Sequence, residues 1–289
     1  MRFDFRALTL LAALTAPAAA QTLVVEGVVS PAWLERGGAR QPLAVGMRLG
    51  DKDRVVTGPD SRLLLRLAEG SAVKLGENAA LGLDGLSAGK GSDALVTAAL
   101  DVARGAFRFT TGIFGKRPAR RSVDIRIATV TAGIRGTDLW GKSDERRDLV
   151  CLIEGSISVA HPQTGEFTMA DPLSFFVAPR AVKPLPVAPV DPRQLALWAA
   201  ETEIEPGSGA ARRGGRIHVD AAVATDQASA HAAYHKLRAA GYPAIMRSAK
   251  AGNRVEYRVL VQNFPTRRDA AAAAAKLKAL GLAEAAISR

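Results

Sequence analysis

Between Thr22 and Val182 short runs of alternating apolar and polar residues recur, each closed by a turn signal. Arg54-Val55-Val56-Thr57 is stopped by Gly58-Pro59-Asp60. Leu63, Leu65 and Leu67 then alternate with Arg62, Leu64 and Arg66, which buries one face of a strand. Glu69-Gly70 turns the chain into Val73 and Leu75, and Gly76-Glu77-Asn78 turns it again into Leu81 and Leu83. Phe107 with Phe109, Ile125 with Ile127, and the runs Leu149–Ile153 and Ser156–Ala160 around Glu154-Gly155 continue the pattern. Period two with regular turns predicts an all-β region. A sandwich, a barrel and a solenoid-like roll all satisfy that period.

A different composition follows. Prolines at 172, 179, 184, 186, 189 and 192 remove backbone donors and hold the chain extended. Within this stretch Asp191 is a good N-cap with Pro192 at the first helical position, so a short helix is expected over 191–202, packing back onto the β region. Glu205-Pro206-Gly207-Ser208-Gly209 and Gly214-Gly215 then predict a flexible linker. The expected organisation is therefore a β domain over 21–182, a Pro/Gly-rich linker over 183–215 and a second domain over 216–289.

The tail changes period. Arg216–Val223 alternates as a strand, and Gln227–Ala240 is an Ala-rich helix closed by Gly241. Ala244–Ser248 and Tyr257–Asn263 are two strands around Gly252-Asn253. Arg268–Leu280 is a second helix ended by Gly281, and Glu284–Ser288 is a last strand. The order β-α-β-β-α-β predicts the ferredoxin-like split unit, an α+β fold with both helices on one face of an antiparallel sheet and the other face open.

Residues 1–20 have the layout of a cleavable signal peptide. A weakly basic Met1–Arg6 precedes an apolar centre from Ala7 to Leu14, then Pro17-Ala18-Ala19-Ala20. The centre is too short to span a hydrocarbon core, which needs about 20 residues, so a retained anchor is the lesser alternative. No later run is long enough to span a bilayer either. The expected location is the periplasm, with a mature chain starting near Gln21. The single cysteine, Cys151, allows no internal disulfide and sits in an apolar run as a buried small side chain.

Charge is concentrated at the end of the chain. Arg216–Arg289 holds 12 Lys/Arg against 5 Asp/Glu, out of a whole-chain balance of +11. Such a surface suits an anionic partner. For an exported protein, cell-wall polymer or anionic lipid fits better than nucleic acid.

The tail resembles a SPOR domain, a small peptidoglycan-binding module of bacterial envelope proteins. The resemblance is carried by Tyr257-Arg258-Val259-Leu260-Val261-Gln262-Asn263-Phe264, by Arg267-Arg268-Asp269-Ala270 leading into Lys276-Leu277, and by the helix exit Leu237–Ala244. The first strand departs from it. Ile217-His218-Val219-Asp220-Ala221-Ala222 stands where the family has Val-Gln-Val-Gly-Ala-Phe, so His218 replaces the glutamine and Asp220 the glycine. The β region resembles the FecR domain through Val45-Gly46, Thr57-Gly58, Ser61–Leu65, Gly70-Ser71, Gly133-Ile134-Arg135-Gly136-Thr137-Asp138 and Glu154–Val159. The sigma-regulating members of that family carry a cytoplasmic head and a membrane helix before the domain. Neither stands here, which does not support a direct anti-sigma role.

Alternation assigns the open face of the tail. Ile217, Val219, Ala221, Val259 and Val261 should turn to the helices. His218, Asp220, Arg258, Leu260 and Gln262 should turn outward, with Arg216 and Arg247 near the rim. The resemblance makes this the face that holds glycan strands, and amide, imidazole and guanidinium groups suit a sugar's hydroxyls, N-acetyl groups and lactyl carboxylates. No enzyme motif is present: there is no Ser-His-Asp order or paired-carboxylate motif, and Gly112–Lys116 lacks the length and hydroxyl of a phosphate loop. His231 and His235 stand four apart without a following Glu or a third ligand, so neither metal nor cofactor is expected. Lys116, Arg117, Arg120 and Arg121 form a basic run suited to a solvated loop or a docking patch, and Arg135 reads as a structural tie between loops. A nucleic-acid module of the same element order stacks bases on aromatic residues, and the outward positions here carry none.

The expected function is a non-enzymatic periplasmic protein that binds peptidoglycan through its tail, with the β region as a scaffold for an envelope protein partner. The alternative is a component of a cell-surface signalling complex whose tail serves only as an anchor. Mass spectrometry of periplasmic extract should find an N-terminus at or near Gln21. An intact Met1 on membrane-held protein would overturn the exported, soluble assignment.

Overall fold

The computed structural model describes residues 23–88, 96–112, 121–134, 136–251, 254–282 and 286–288. The expected signal peptide, Lys116, Arg117, Arg120, Arg135 and the Gly252-Asn253 turn lie outside the described residues, as does the side chain of Arg121. The described chain is mostly β, with three helices.

Two sheets share one long strand, Val96–Thr110. Its first part pairs with Ala80–Ala88 and, in parallel, with Arg121–Ile127. Its second part pairs with Ala72–Leu75 and with Asp138–Ser143. The change falls at Gly105, whose φ is +87°. A Cβ there would lie 2.4 Å from the Ala79 Cα, so the crossing point admits only glycine. The first sheet continues through Arg62–Arg66 and Leu23–Val29 on one side, and through Arg147–Glu154 and Ser174–Pro179 on the other. The second runs from Ala39–Pro42, Ala32–Arg36 and Arg54–Thr57 to Val130–Ile134, Ile157–His161 and Gly165–Met169. Their inward side chains form one apolar cluster, with Leu63, Leu65, Phe107 and Phe109 from one sheet and Leu81, Leu100, Ile125 and Val159 from the other.

A second, smaller cluster lies outside this core, on Trp140, Leu149, Cys151 and Val177. It is capped by helix α1 (Pro192–Ala200), which starts where the amides of Arg193 and Gln194 donate to the Asp191 carboxylate at 2.9 and 3.2 Å. Trp198 of α1 stacks on Trp140, ring centroids 5.1 Å apart and planes 2° from parallel. The Lys142 ammonium meets Glu201 at 2.8 Å, and Arg108 and Lys74 both reach Glu203. The proline-rich segment supplies an edge strand, Ala188–Pro189, against Ser174–Pro179. Proline at a sheet edge lacks the donor that a further strand would need.

The tail runs Ile217–Ala224, α2 (Gln227–Ala239), Ile245–Ala251, Arg254–Phe264, α3 (Arg267–Ala279) and Ala286–Ser288. Its four strands form a separate antiparallel sheet, in which Arg254–Phe264 and Ile217–Ala224 are central and Ile245–Ala251 and Ala286–Ser288 are the edges. Both helices start at side-chain caps: the Ser229 amide donates to Asp226 at 2.8 Å, and the Asp269 amide donates to Thr266 at 3.0 Å. Ala230 and Leu237 of α2 and Ala270, Ala273 and Leu277 of α3 are buried against the sheet.

The segment expected to be a flexible linker is instead tied down at both ends. Ala210–Arg212 adds to the first sheet beside Leu23–Val29, and the Arg213 amide donates to the Glu26 carbonyl at 2.9 Å. The amides of Gly207 and Gly209 donate to the Asp269 carboxylate at 2.9 and 3.4 Å. On the far side the Ala32 amide donates to the Gly241 carbonyl at 3.2 Å, and a Cβ at Gly241 would lie 2.6 Å from the Trp33 ring. Glycine here serves close packing as well as a turn.

Two outcomes follow for the small cluster. Burial, and then the neighbouring Asp138 carboxylate, push the Cys151 thiol up to about 12. At pH 8 the native protein should therefore give almost no reaction with a thiol reagent, and one equivalent should appear on unfolding. Trp198→Ala should lower stability by about 3 kcal/mol, read from the urea midpoint. Leu197→Ala, at a side chain 66% exposed, should change it by less than about 0.5 kcal/mol.

Candidate functional site

The tail sheet presents one face to α2 and α3, and Val219, Ala221, Val259 and Val261 belong to the apolar cluster on that side. Cross-strand partners share a face. Asp220 stands opposite Leu260 and Ala286, Leu260 opposite Ile245, and His218 opposite Ser288. Arg258 stands opposite Arg247 on one side and Val223 on the other. His218, Asp220, Arg247, Arg258, Leu260 and Gln262 are thus brought together on the face away from the helices.

Their exposure is uneven. Arg247 and Arg258 are exposed, and His218 and Gln262 are half-buried. Leu260 is only 2% exposed and Asp220 only 5%. Leu260 joins neither apolar cluster, so it lies in the floor of the open face without being offered to a ligand as a surface contact. That corrects the expectation for both residues. They sit on central strands, and flanking side chains close over them.

A second correction concerns alternation itself. The register between the central strands shifts between Ile217 and Val219 and again between Asp220 and Ala222. Each extra residue is a bulge, which breaks period two on one strand only. Ala222 therefore pairs with Val259, and Val223 comes onto the face of Arg258.

Hydrogen bonds organise the polar groups. Ser288 Oγ donates to Asp220 Oδ2 at 2.8 Å, and Arg258 Nη1 reaches the same oxygen at 3.5 Å. Arg258 Nη2 donates to Glu256 Oε2 at 3.2 Å. Asp220 Oδ1 is buried and finds no partner among the described residues. The guanidinium of Arg258 is thus set between two carboxylates. Arg258 is thereby compensated in charge, whereas Arg247 makes no ion pair among the described residues. Glu256 and Ser288 were not among the residues singled out from sequence. Glu256 lies two residues before Arg258, a spacing that puts both on one face and was available to find it. Ser288 acts through a strand pairing that no local pattern encodes.

Elsewhere, the rings of His231 and His235 lie 6.0 Å apart, and His231 Nε2 is 3.2 Å from the Gln227 side-chain amide. Among the described residues no group of three potential metal ligands comes together. No helix among them is long and apolar enough to cross a membrane.

With this geometry in view, comparison with known proteins places two families on the chain. Residues 214–288 match the SPOR domain and residues 53–158 match the family described as FecR protein. Two solved structures, each described as a proposed anti-sigma factor from Parabacteroides distasonis ATCC 8503, are similar to the chain. One is 13% identical, covering 50% of this chain and 63% of its own length, with a TM-score of 0.41. The other is 11% identical, covering 70% and 96%, with a TM-score of 0.40. The chain therefore spans less than two thirds of the first of these. No curated protein matches it.

Proposed function

We propose, for a chain that carries a FecR region and a SPOR domain, that it is a non-enzymatic protein of the periplasm which binds peptidoglycan glycan strands through the open face of its tail sheet. The strand order of the tail supports a ferredoxin-like unit. The observation that carries the reading is the gathering of His218, Gln262, Arg247 and Arg258 on the one face that α2 and α3 leave uncovered. Imidazole, amide and guanidinium donors there suit a sugar's hydroxyl and acetamido oxygens and a lactyl carboxylate. Asp220 and Glu256 orient Arg258, so the contact is chiefly one of directed hydrogen bonds. The FecR region is then a scaffold for an envelope protein partner, and export proceeds by cleavage near Gln21. The FecR match also favours a second reading, in which that region joins a cell-surface signalling complex and the tail only anchors it.

The full chain should sediment with purified sacculi, and more strongly after an amidase has removed the stem peptides. Arg258→Ala should weaken binding about tenfold, since a hydrogen bond from a charged donor contributes roughly 1.5–3 kcal/mol. Arg267→Ala, exposed at the start of α3, should bind like the parent. His218→Gln should equal or exceed it. Most binding should survive 1 M salt, where exposed charges are screened within about 3 Å. If Arg267→Ala loses binding while Arg258→Ala keeps it, the face assignment is inverted and the site fails.

A further inference from the structure

The solvent face of the second sheet carries a trough that the glycan reading does not use. Arg121–Ile127, Val130–Ile134, Ile157–His161 and Gly165–Met169 lie side by side there. Their inward residues, such as Val123, Ile134, Ile157 and Val159, are core. The alternate residues face solvent in register: Asp124 opposite Gly133, Gly133 opposite Ser158, and Ser158 opposite Thr168. One step along, Arg126 is opposite Thr131, Thr131 opposite Ala160, and Ala160 opposite Glu166.

The two middle strands contribute only small side chains, and the outer two contribute Asp124 and Glu166. A low floor between raised walls results. Strands stand about 4.8 Å apart, so the walls are about 14 Å apart, wide enough for one extended chain. Gly133 keeps the floor low, because a Cβ there would lie 2.6 Å from Ser158 Oγ. The cavity measures about 460 Å³ and is lined by Ser122, Asp124, Ser158, Glu166 and Thr168 among others.

Its chemistry is one-sided. The Arg126 guanidinium at the margin is taken by Asp101 at 2.6 Å. The carboxylates of Asp124 and Glu166 are exposed, and neither has an ion-pair partner among the described residues. The rest of the polar lining is hydroxyl, which serves either as donor or as acceptor. An anionic chain would meet the like charges of Asp124 and Glu166, whereas a cationic one gains charge-assisted hydrogen bonds. Among the described residues no aromatic ring lines the cavity for the apolar face of a sugar. We propose that this trough docks an extended, Lys/Arg-bearing segment of a partner protein, held by Asp124 and Glu166 at the walls and by the serine and threonine hydroxyls between them. This site stands independently of the tail and its glycan.

The test is fluorescence anisotropy of the full chain with a labelled Lys-Ser-Lys-Ser-Lys-Ser peptide at low salt. Exposed ion pairs each contribute a factor of a few, so Asp124→Asn with Glu166→Gln should weaken binding about fivefold or more. Asp124→Lys with Glu166→Lys should abolish it. Both substitutions are on the solvent side, so an unchanged thermal melt should accompany them. Glu145→Gln, an exposed carboxylate outside the trough, should bind like the parent. The proposal is overturned if the parent does not bind the peptide by about 1 mM, or if Glu145→Gln loses as much as the double variant. It is also overturned if chitohexaose displaces the peptide from the trough, which would assign the site to a glycan.

Discussion

The strand Val96–Thr110 changes sheets at Gly105, and both sheets of the larger region depend on that crossing. Leu100 and Val102 face the core from one sheet, and Phe107 and Phe109 face it from the other, within a single run of backbone. The turn between them needs a positive φ and a clearance that any side chain would close against Ala79. Everything that pairs to either half inherits its register from this strand: Ala72–Leu75 and Asp138–Ser143 on one side, Ala80–Ala88 and Arg121–Ile127 on the other. The trough on the second sheet and the tryptophan-stacked cluster on the first are therefore positioned by the same element.

The tail is attached by backbone hydrogen bonds as well as by the chain itself. Asp269 is engaged four ways, with its amide donating to Thr266 at the start of α3 and its carboxylate accepting from the Thr266 hydroxyl and from the amides of Gly207 and Gly209. A carboxylate at a helix N-terminus is favourable for electrostatic reasons as well. The Ala210–Arg212 strand then carries the connection into the first sheet. Because the helix side of the tail takes part in these contacts, the polar face of its sheet is left uncovered.

Much of this was legible in the residues. The alternation of Leu63, Leu65 and Leu67, the Asp191-Pro192 start of α1 and the helix-ending Gly241 and Gly281 are local signals, and local sterics act on them directly. The face assignment for Arg258, Gln262 and His218 also came from period two. It failed for exposure at Leu260 and Asp220, because burial depends on neighbours brought in by other strands. It missed Val223, because a bulge between Asp220 and Ala222 shifts parity on one strand without any residue that announces it. The Gly/Pro stretch signalled a chain that leaves regular structure, but not that its amides would be satisfied by a side chain of α3, because Asp269 lies 62 and 60 residues from its partners Gly207 and Gly209.

The sequence by itself determined the alternating strands such as Arg62–Arg66, the three helices with their capping signals, and which side chains of the tail are polar on one face. Those properties follow from φ/ψ preferences and side-chain period, which act over a few residues. Only the tertiary structure decided that one strand serves two sheets, that Trp198 closes over Trp140, that the linker is paired, and that Asp124 and Glu166 stand on opposite sides of a floor of small residues, one cross-strand row apart. Each of these joins residues far apart in the chain, and its energy depends on burial and registry that do not exist until the sheets have assembled.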